Sequence, residues 1–203
     1  MTGTSRKKLS PSERVSAAAK DLFIKNGYAS VSIDEIARQA RVSKPTLYAH
    51  FGSKERLFVT VLEDAFNKIV APLLNAESSN LPIEEVLTAH ARSYARAVLS
   101  PDMLDINRLL IAEAVRFPEM ASHYYNAGPG SAYSAVADFL RSRVKIGEIV
   151  CEDCAGAARL YGAMIIATHR LRLQLHVDAE PNWTEVDDLS ALAVKIFTRG
   201  MKP

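Results

Sequence analysis

Cysteine is scarce: two in 203 residues. That is too few for a disulfide scaffold and suits a reducing compartment. Long apolar runs are missing too. The longest, such as residues 161–167, are of core length and far from the 18 or so residues of a membrane span. No membrane partner is therefore expected. The start of the chain (MTGTSRKKLSPSER) is basic but has no apolar h-region, so a secretory signal is not expected and a cytoplasmic location is. There is no internal repeat, no low-complexity tract and no Gly-rich phosphate loop. At 48% hydrophobic and 24% charged, the composition excludes disordered, collagenous and coiled-coil chains. A chain of this length holds one domain or two small ones and can bury about 70% of its unfolded surface.

The formal net charge of +2 hides an asymmetry. Residues 1–60 carry 11 Lys+Arg against 5 Asp+Glu, whereas residues 61–203 carry 14 against 18. A basic amino-terminal quarter on an acidic remainder is the electrostatic footprint of a polyanion-binding module on a separate body.

Apolar residues recur at helical spacing almost throughout, and no convincing strand alternation appears. The first helix opens with Ser10-Pro11-Ser12-Glu13, where Ser10 and Glu13 form a capping box and Pro11 suits the first helical position. Val15, Ala18, Ala19, Leu22 and Phe23 then share one face, and Asn26-Gly27 ends it. A second capping box, Ser32-Ile33-Asp34-Glu35, starts a two-turn helix with Ile33, Ile36, Ala37 and Ala40 inward. After a turn at Arg41-Val42, Ser43 caps a third helix, Lys44-Pro45-Thr46-Leu47-Tyr48-Ala49-His50-Phe51. Gly52 closes it, and Ser53 caps a fourth.

Two short helices joined by a tight turn and braced by a first helix make a helix-turn-helix. Leu47 and Phe51 stand at i and i+4 and face inward. Pro45, Thr46 and Ala49 point the other way, flanked by Lys44, Tyr48 and His50. This outward face is small in the middle and hydrogen-bonding at its edges, and it suits a major groove about 12 Å wide. A solvated three-helix bundle would explain the caps and the apolar stripe. It would not explain an outward Tyr and His beside Lys44 and Lys54.

Residues 32–58, SIDEIARQARVSKPTLYAHFGSKERLF, closely resemble the TetR family of bacterial transcriptional regulators. The close match covers roughly residues 10–60. IAEAVRFPE, VKIGEI and the alanine-rich start after Asp153 resemble the effector-binding half of one branch of that family. The resemblance implies an all-α homodimer: a DNA-binding domain over residues 1–53 and an effector-binding and dimerisation domain over 54–203. It implies binding to a double-stranded, pseudo-palindromic operator, repression, and release by a small-molecule effector. By the resemblance, Ser32, Tyr48, His50 and Lys54 meet phosphates, while Ser43 caps the helix whose Lys44, Pro45 and Thr46 approach base edges and nearby backbone. Arg41 departs from the Gly that many relatives carry in the turn. Asp34 lies where some relatives read guanine with Arg; it either accepts from cytosine N4 or, more plainly, stabilises the helix start.

The remainder reads as a helical body. Helices are expected over 54–76, up to 99, over 102–115, from Phe117-Pro118-Glu119 to a break at Gly128-Pro129-Gly130, and over 131–146, 154–175 and 184–199. Leu57, Phe58, Val61, Leu62, Ala65 and Ile69 should face inward on the long fourth helix. The last two helices carry apolar stripes wider than one small core needs. Leu160, Ile165, Leu189, Ala193, Ile196 and Phe197 are their candidate dimer contacts. Phe66, Tyr94, Met103, Asn107, Tyr161, Met164 and His169 mix bulk with a few polar groups and are the candidate lining of an effector pocket.

No enzyme, metal site or cofactor is expected. Cys151-Glu152-Asp153-Cys154 lacks the second ligand pair that zinc needs and the βαβ context of a redox motif; it is an incidental pair of thiols or a redox-sensing one. His123-Tyr124-Tyr125 has no nucleophile partner, and Glu113 with Arg116 reads as a structural ion pair. The competing reading is a helical DNA-binding or interaction protein without an effector.

Overall fold

The computed structural model describes residues 9–76 and 81–202, apart from the side chains of residues 62–68, 75, 76 and 167. The expectations for Leu62, Ala65, Phe66 and the loop at 78–80 therefore lie outside the described residues. The described chain is all-α, with no strand: α1 (Pro11–Asn26), α2 (Ile33–Ala40), α3 (Lys44–Phe51), α4 (Lys54–Ala76), α5 (Ile83–Val98), α6 (Pro101–Glu113), α7 (Pro118–Tyr125), α8 (Ser131–Lys145), α9 (Cys154–Gln174) and α10 (Trp183–Arg199). None of these helices is long and apolar enough to cross a membrane.

The expected break at Gly128-Pro129-Gly130 does not occur. A π turn over Asn126–Gly130 joins α7 to α8. Proline has no N–H and its ring collides with the carbonyl four residues back, and a wider turn relieves that collision. Gly130 packs tightly here: a Cβ on it would lie 3.0 Å from the Tyr125 carbonyl oxygen.

The chain forms two compact units, residues 1–62 with Leu109–His123, and Glu63–Arg108 with residues 124–203. In the first, α1, α2 and α3 pack on one another. Ser10 and Glu13 form the complete capping box at α1. At α2, Ser32 caps the Glu35 N–H at 3.1 Å. Val15, Ala19, Ile36 and Leu47 are fully buried. Phe23, Tyr28 and Phe58 form an aromatic cluster with ring centroids 5.4 to 5.5 Å apart, and Phe117 meets Tyr28 edge-on at 5.3 Å. The Arg14 Nε donates to the Ala40 carbonyl at 3.0 Å and ties α1 to the end of α2. Arg41 takes the left-handed conformation, φ 55°, that ends α2, at a cost of about 1 kcal/mol for a residue with a Cβ.

In the second unit, α8 packs on α9, and α10 packs on α5 and α9. Leu87, Leu99, Leu140, Tyr161, Val186 and Val194 are fully buried at its centre. The Tyr161 hydroxyl donates to the Leu87 carbonyl at 2.8 Å. Its single proton is thereby used, so the 3.0 Å bond to His90 Nδ1 runs from the imidazole N–H to the phenol oxygen. Burial pushes the His90 pKa down to about 4, and the ring is neutral in the core.

The start of α5 is held from a distance. Pro82 precedes it and supplies no side-chain cap. Instead Glu148, in the loop after α8, accepts the Ile83 N–H at 2.8 Å through one carboxylate oxygen. The other oxygen pairs with Arg143 at 3.0 Å, and the same guanidinium nitrogen donates to the Leu81 carbonyl. The Arg143 side chain is 9% exposed and that of Glu148 27%. Removing the carboxylate strands a buried cation and frees a helix end. Glu148→Ala should therefore lower unfolding stability in urea by about 3 kcal/mol, with Glu148→Gln losing less because the amide oxygen still caps Ile83.

Candidate nucleic-acid interface and interior cavity

The helix-turn-helix in the first unit presents its face by elimination. Leu47 and Phe51 are taken up by the core. The Ser43 hydroxyl accepts the Thr46 N–H at 3.2 Å and shares a 2.7 Å bond with the Thr46 hydroxyl, which fixes the first turn of α3. Lys44, Pro45, Tyr48 and His50 are left exposed, and Thr46 half-exposed. Ser32 is an exposed cap on α2. Ser53 accepts the Arg56 N–H at 3.2 Å at the start of α4.

Two features of this face were not read from sequence. Lys44 pairs with Asp34 across the turn, Nζ to carboxylate 2.9 Å, and the bond to Asp34 raises the Lys44 pKa. Asp34 thus serves as a partner for Lys44 as well as standing in the first turn of α2. The residues are ten apart on different helices, so no helical period shows the contact. Lys54 is not fully in solvent either. Its ammonium lies 4.3 Å from the centroid of the Tyr28 ring, and desolvation lowers its pKa against the pull of Glu55 and Glu113. Glu113 also pairs with Arg116 at 3.6 Å, the structural ion pair expected.

In the second unit the candidate pocket residues separate. Tyr94, Met103 and Asn107 line one interior cavity, and sequence reasoning missed their neighbours Tyr124, Tyr133 and Arg170. The cavity is small: the centre of a water-sized sphere can range over about 40 Å³ of it. The Tyr124 hydroxyl donates to Asn107 Oδ1 at 3.1 Å, and Asn107 Nδ2 donates to the Met103 carbonyl at 2.8 Å. Burial pushes the Tyr124 pKa up to about 12 and raises that of Tyr94, which is hydrogen-bonded to Tyr133. Tyr94 and Tyr124 therefore keep their protons at neutral pH. Gly162 lets Tyr133 approach α9, since a Cβ there would lie 2.7 Å from its ring.

Three of the expected pocket residues lie away from this cavity. Tyr161 is fully buried and spends its hydroxyl on Leu87 and His90, so it belongs to the core. Met164 and His169 line a separate, shallow groove between α9 and α10 with Leu189, Leu192 and Ile196. Phe66 lies outside the described side chains. Of the candidate dimer contacts, Leu160, Leu189 and Ile196 are exposed, with Met164 and Leu192 beside them. Ile165 and Ala193 turn inward, and Phe197 packs on Tyr161 at 5.2 Å.

Cys151 is half-buried and Cys154 buried. Burial, with Cys154 alongside, pushes the Cys151 thiol up to about 11, the opposite of the lowered pKa that a reactive thiol needs. Among the described residues no three His, Cys, Asp or Glu side chains converge as a metal site.

Comparison with known proteins agrees with this architecture. Residues 16–61 match "Bacterial regulatory proteins, tetR family", and residues 85–200 match "AefR-like transcriptional repressor, C-terminal domain". The HTH-type transcriptional repressor Rv3405c of Mycobacterium tuberculosis is 36% identical over 104 residues, 51% of this chain and 52% of that protein. The chain thus spans about half the length of the curated relatives it matches first. A TetR-family regulator from Mesorhizobium loti superposes with a TM-score of 0.81 at 24% identity, over 95% of this chain and 97% of that one. The flavonoid-responsive regulator FrrA superposes at 0.70 with 26% identity over the same shares. With a helix-turn-helix at one end and a matching helical domain across more than half its length, this chain belongs to the TetR family of bacterial transcriptional regulators.

Proposed function

We propose that the protein is a dimeric repressor that binds a pseudo-palindromic operator and is released by a small-molecule effector. The observation that carries the DNA reading is the face of α3. Its apolar residues are consumed by the core, and Lys44, Pro45, Tyr48 and His50 remain outward in a basic segment. Ser32, Tyr48, His50 and Lys54 are assigned to phosphates, Thr46 and Pro45 to base edges, Lys44 to either, and Ser43 to holding the start of the helix. Phosphate contacts give affinity and salt dependence, and base contacts give sequence choice. The similarity to a repressor, Rv3405c, supports repression.

In a mobility-shift titration, the triple variant Lys44→Ala, Tyr48→Phe, His50→Ala should bind operator at least about tenfold more weakly and with a shallower salt slope. Asp34→Asn should instead strengthen binding to any duplex by up to about fivefold, because it frees Lys44 from an exposed ion pair of small worth. Unchanged affinity in the triple variant would remove the assignment.

The dimer reading rests on the exposed apolar residues of α9 and α10. Leu160, Met164, Leu189, Leu192 and Ile196 form a face that water does not favour. Pairing it across a two-fold gives a four-helix interface. Wild-type protein should scatter light as a dimer at micromolar concentration, and Leu192→Glu with Ile196→Glu should scatter as a folded monomer.

The effector reading rests on the interior cavity of the second unit, and the responsiveness named for FrrA supports it. A ligand that prefers a conformer poor at binding DNA must lower DNA affinity, and DNA must lower ligand affinity equally; couplings of about 1–3 kcal/mol correspond to about 5–150-fold. Asn107→Trp, which fills the cavity, should abolish release by an active compound while leaving operator affinity within about twofold, measured by fluorescence anisotropy. If no compound from a broad library releases DNA, the effector reading falls.

A further inference from the structure

The lining of the cavity has a chemical bias that narrows what it can hold. Tyr94, Tyr124 and Tyr133 give three ring faces, and Met103 adds a thioether suited to an aromatic edge. Arg170, half-buried on α9, is the one charged residue among the described lining, and no carboxylate is among those described residues. It falls at i+8 from Gly162, on the α9 stripe that faces Tyr133. Burial keeps Tyr94 protonated, and Tyr124 spends its proton on Asn107. Tyr94 and Tyr133 share one bond between two hydroxyls, so one proton of that pair is left to offer. The polar groups are therefore biased toward an acceptor of negative charge. A guanidinium in a low-dielectric pocket also repels a cation and gains most from an oxyanion.

A neighbouring surface groove is built from the same elements. This groove between α8 and α9 is lined by Tyr125, Gly130, Tyr133, Arg141 and Arg159, with Asp138. Asp138 pairs with Arg141 at 2.5 Å, whereas Arg159 is exposed in the groove. Tyr133 lines both groove and cavity, and the π turn contributes Gly130 to the groove and Gly128 and Pro129 to the cavity. The ring of Tyr133 and one irregular turn of helix are the wall between them. π turns are soft places in a helix and recur at functional sites.

We infer that the cavity takes a ring-bearing monoanion, its acidic group on Arg170 and its ring among the three tyrosines, entering from the Arg159 groove past Tyr133. This rests on the effector reading and names the chemistry of that site. The test uses three probes with one para-phenol ring and different tails: 3-(4-hydroxyphenyl)propionate, its methyl ester and tyramine. By calorimetry at neutral pH, full-length protein should bind the propionate at least about tenfold more tightly than the ester, with tyramine weakest. Arg170→Met, or Arg170→Gln if the first variant folds poorly, should bring the propionate and the ester within about twofold of each other. Arg159→Glu should slow propionate association by about threefold at low salt and leave dissociation unchanged. An ester or amine that binds as tightly as the acid, a preference that survives loss of Arg170, or binding of none of the three overturns the inference. Release of DNA by a neutral or cationic compound removes the anion class and keeps the effector reading. Failure of every compound class removes the effector reading itself.

Discussion

An eight-residue helix does not persist in water on its own, and α3 persists because Leu47 and Phe51 are buried against α1 and α2. Everything assigned to its other face depends on that anchoring. Burial of two apolar side chains fixes the rotation of the helix about its axis. Ser43 and Gly52 fix where it starts and stops. With rotation and ends set, Pro45, Tyr48 and His50 face solvent without any favourable local reason to do so. A face kept polar, small in its middle and positively flanked is what a duplex can use.

The charges on that face are partly occupied in the free protein. Lys44 is held by Asp34, and Lys54 rests on the ring of Tyr28, whose hydroxyl donates to Glu55 at 3.0 Å. Both arrangements are cheap to leave, because exposed ion pairs and cation–π contacts are each worth about 1 kcal/mol or less. They hold flexible side chains near the face without neutralising it permanently. Under the proposed function, such a face would take phosphate by placing several weak donors together.

Much of this was legible in the sequence. Helix starts followed from Ser10, Ser32, Ser43, Ser53 and Asp153, because a cap is a local interaction between a side chain and the backbone a few residues on. Inward residues of α1 to α3 followed from period alone. The cavity did not. Helical spacing says that Tyr94, Asn107 and Tyr161 face inward, but not whether they meet a packed neighbour or a void. Tyr161 meets Leu87 and His90, while Tyr94 and Asn107 border open space. Met164 sits in an apolar run and looked interior, yet it is exposed in the groove between α9 and α10. The π turn escaped because Gly-Pro-Gly normally stops a helix. Here a single wide turn accommodates the proline.

Sequence-specific reading by a two-fold dimer is the claim on which the regulatory account stands. The direct measurement is capture of sheared genomic DNA by the purified protein near physiological salt, followed by sequencing of what is retained. The account predicts a small set of enriched fragments sharing a pseudo-palindrome with half-sites about one helical turn, roughly 34–36 Å, apart. Retention without a shared motif, or no enrichment over input, would contradict it.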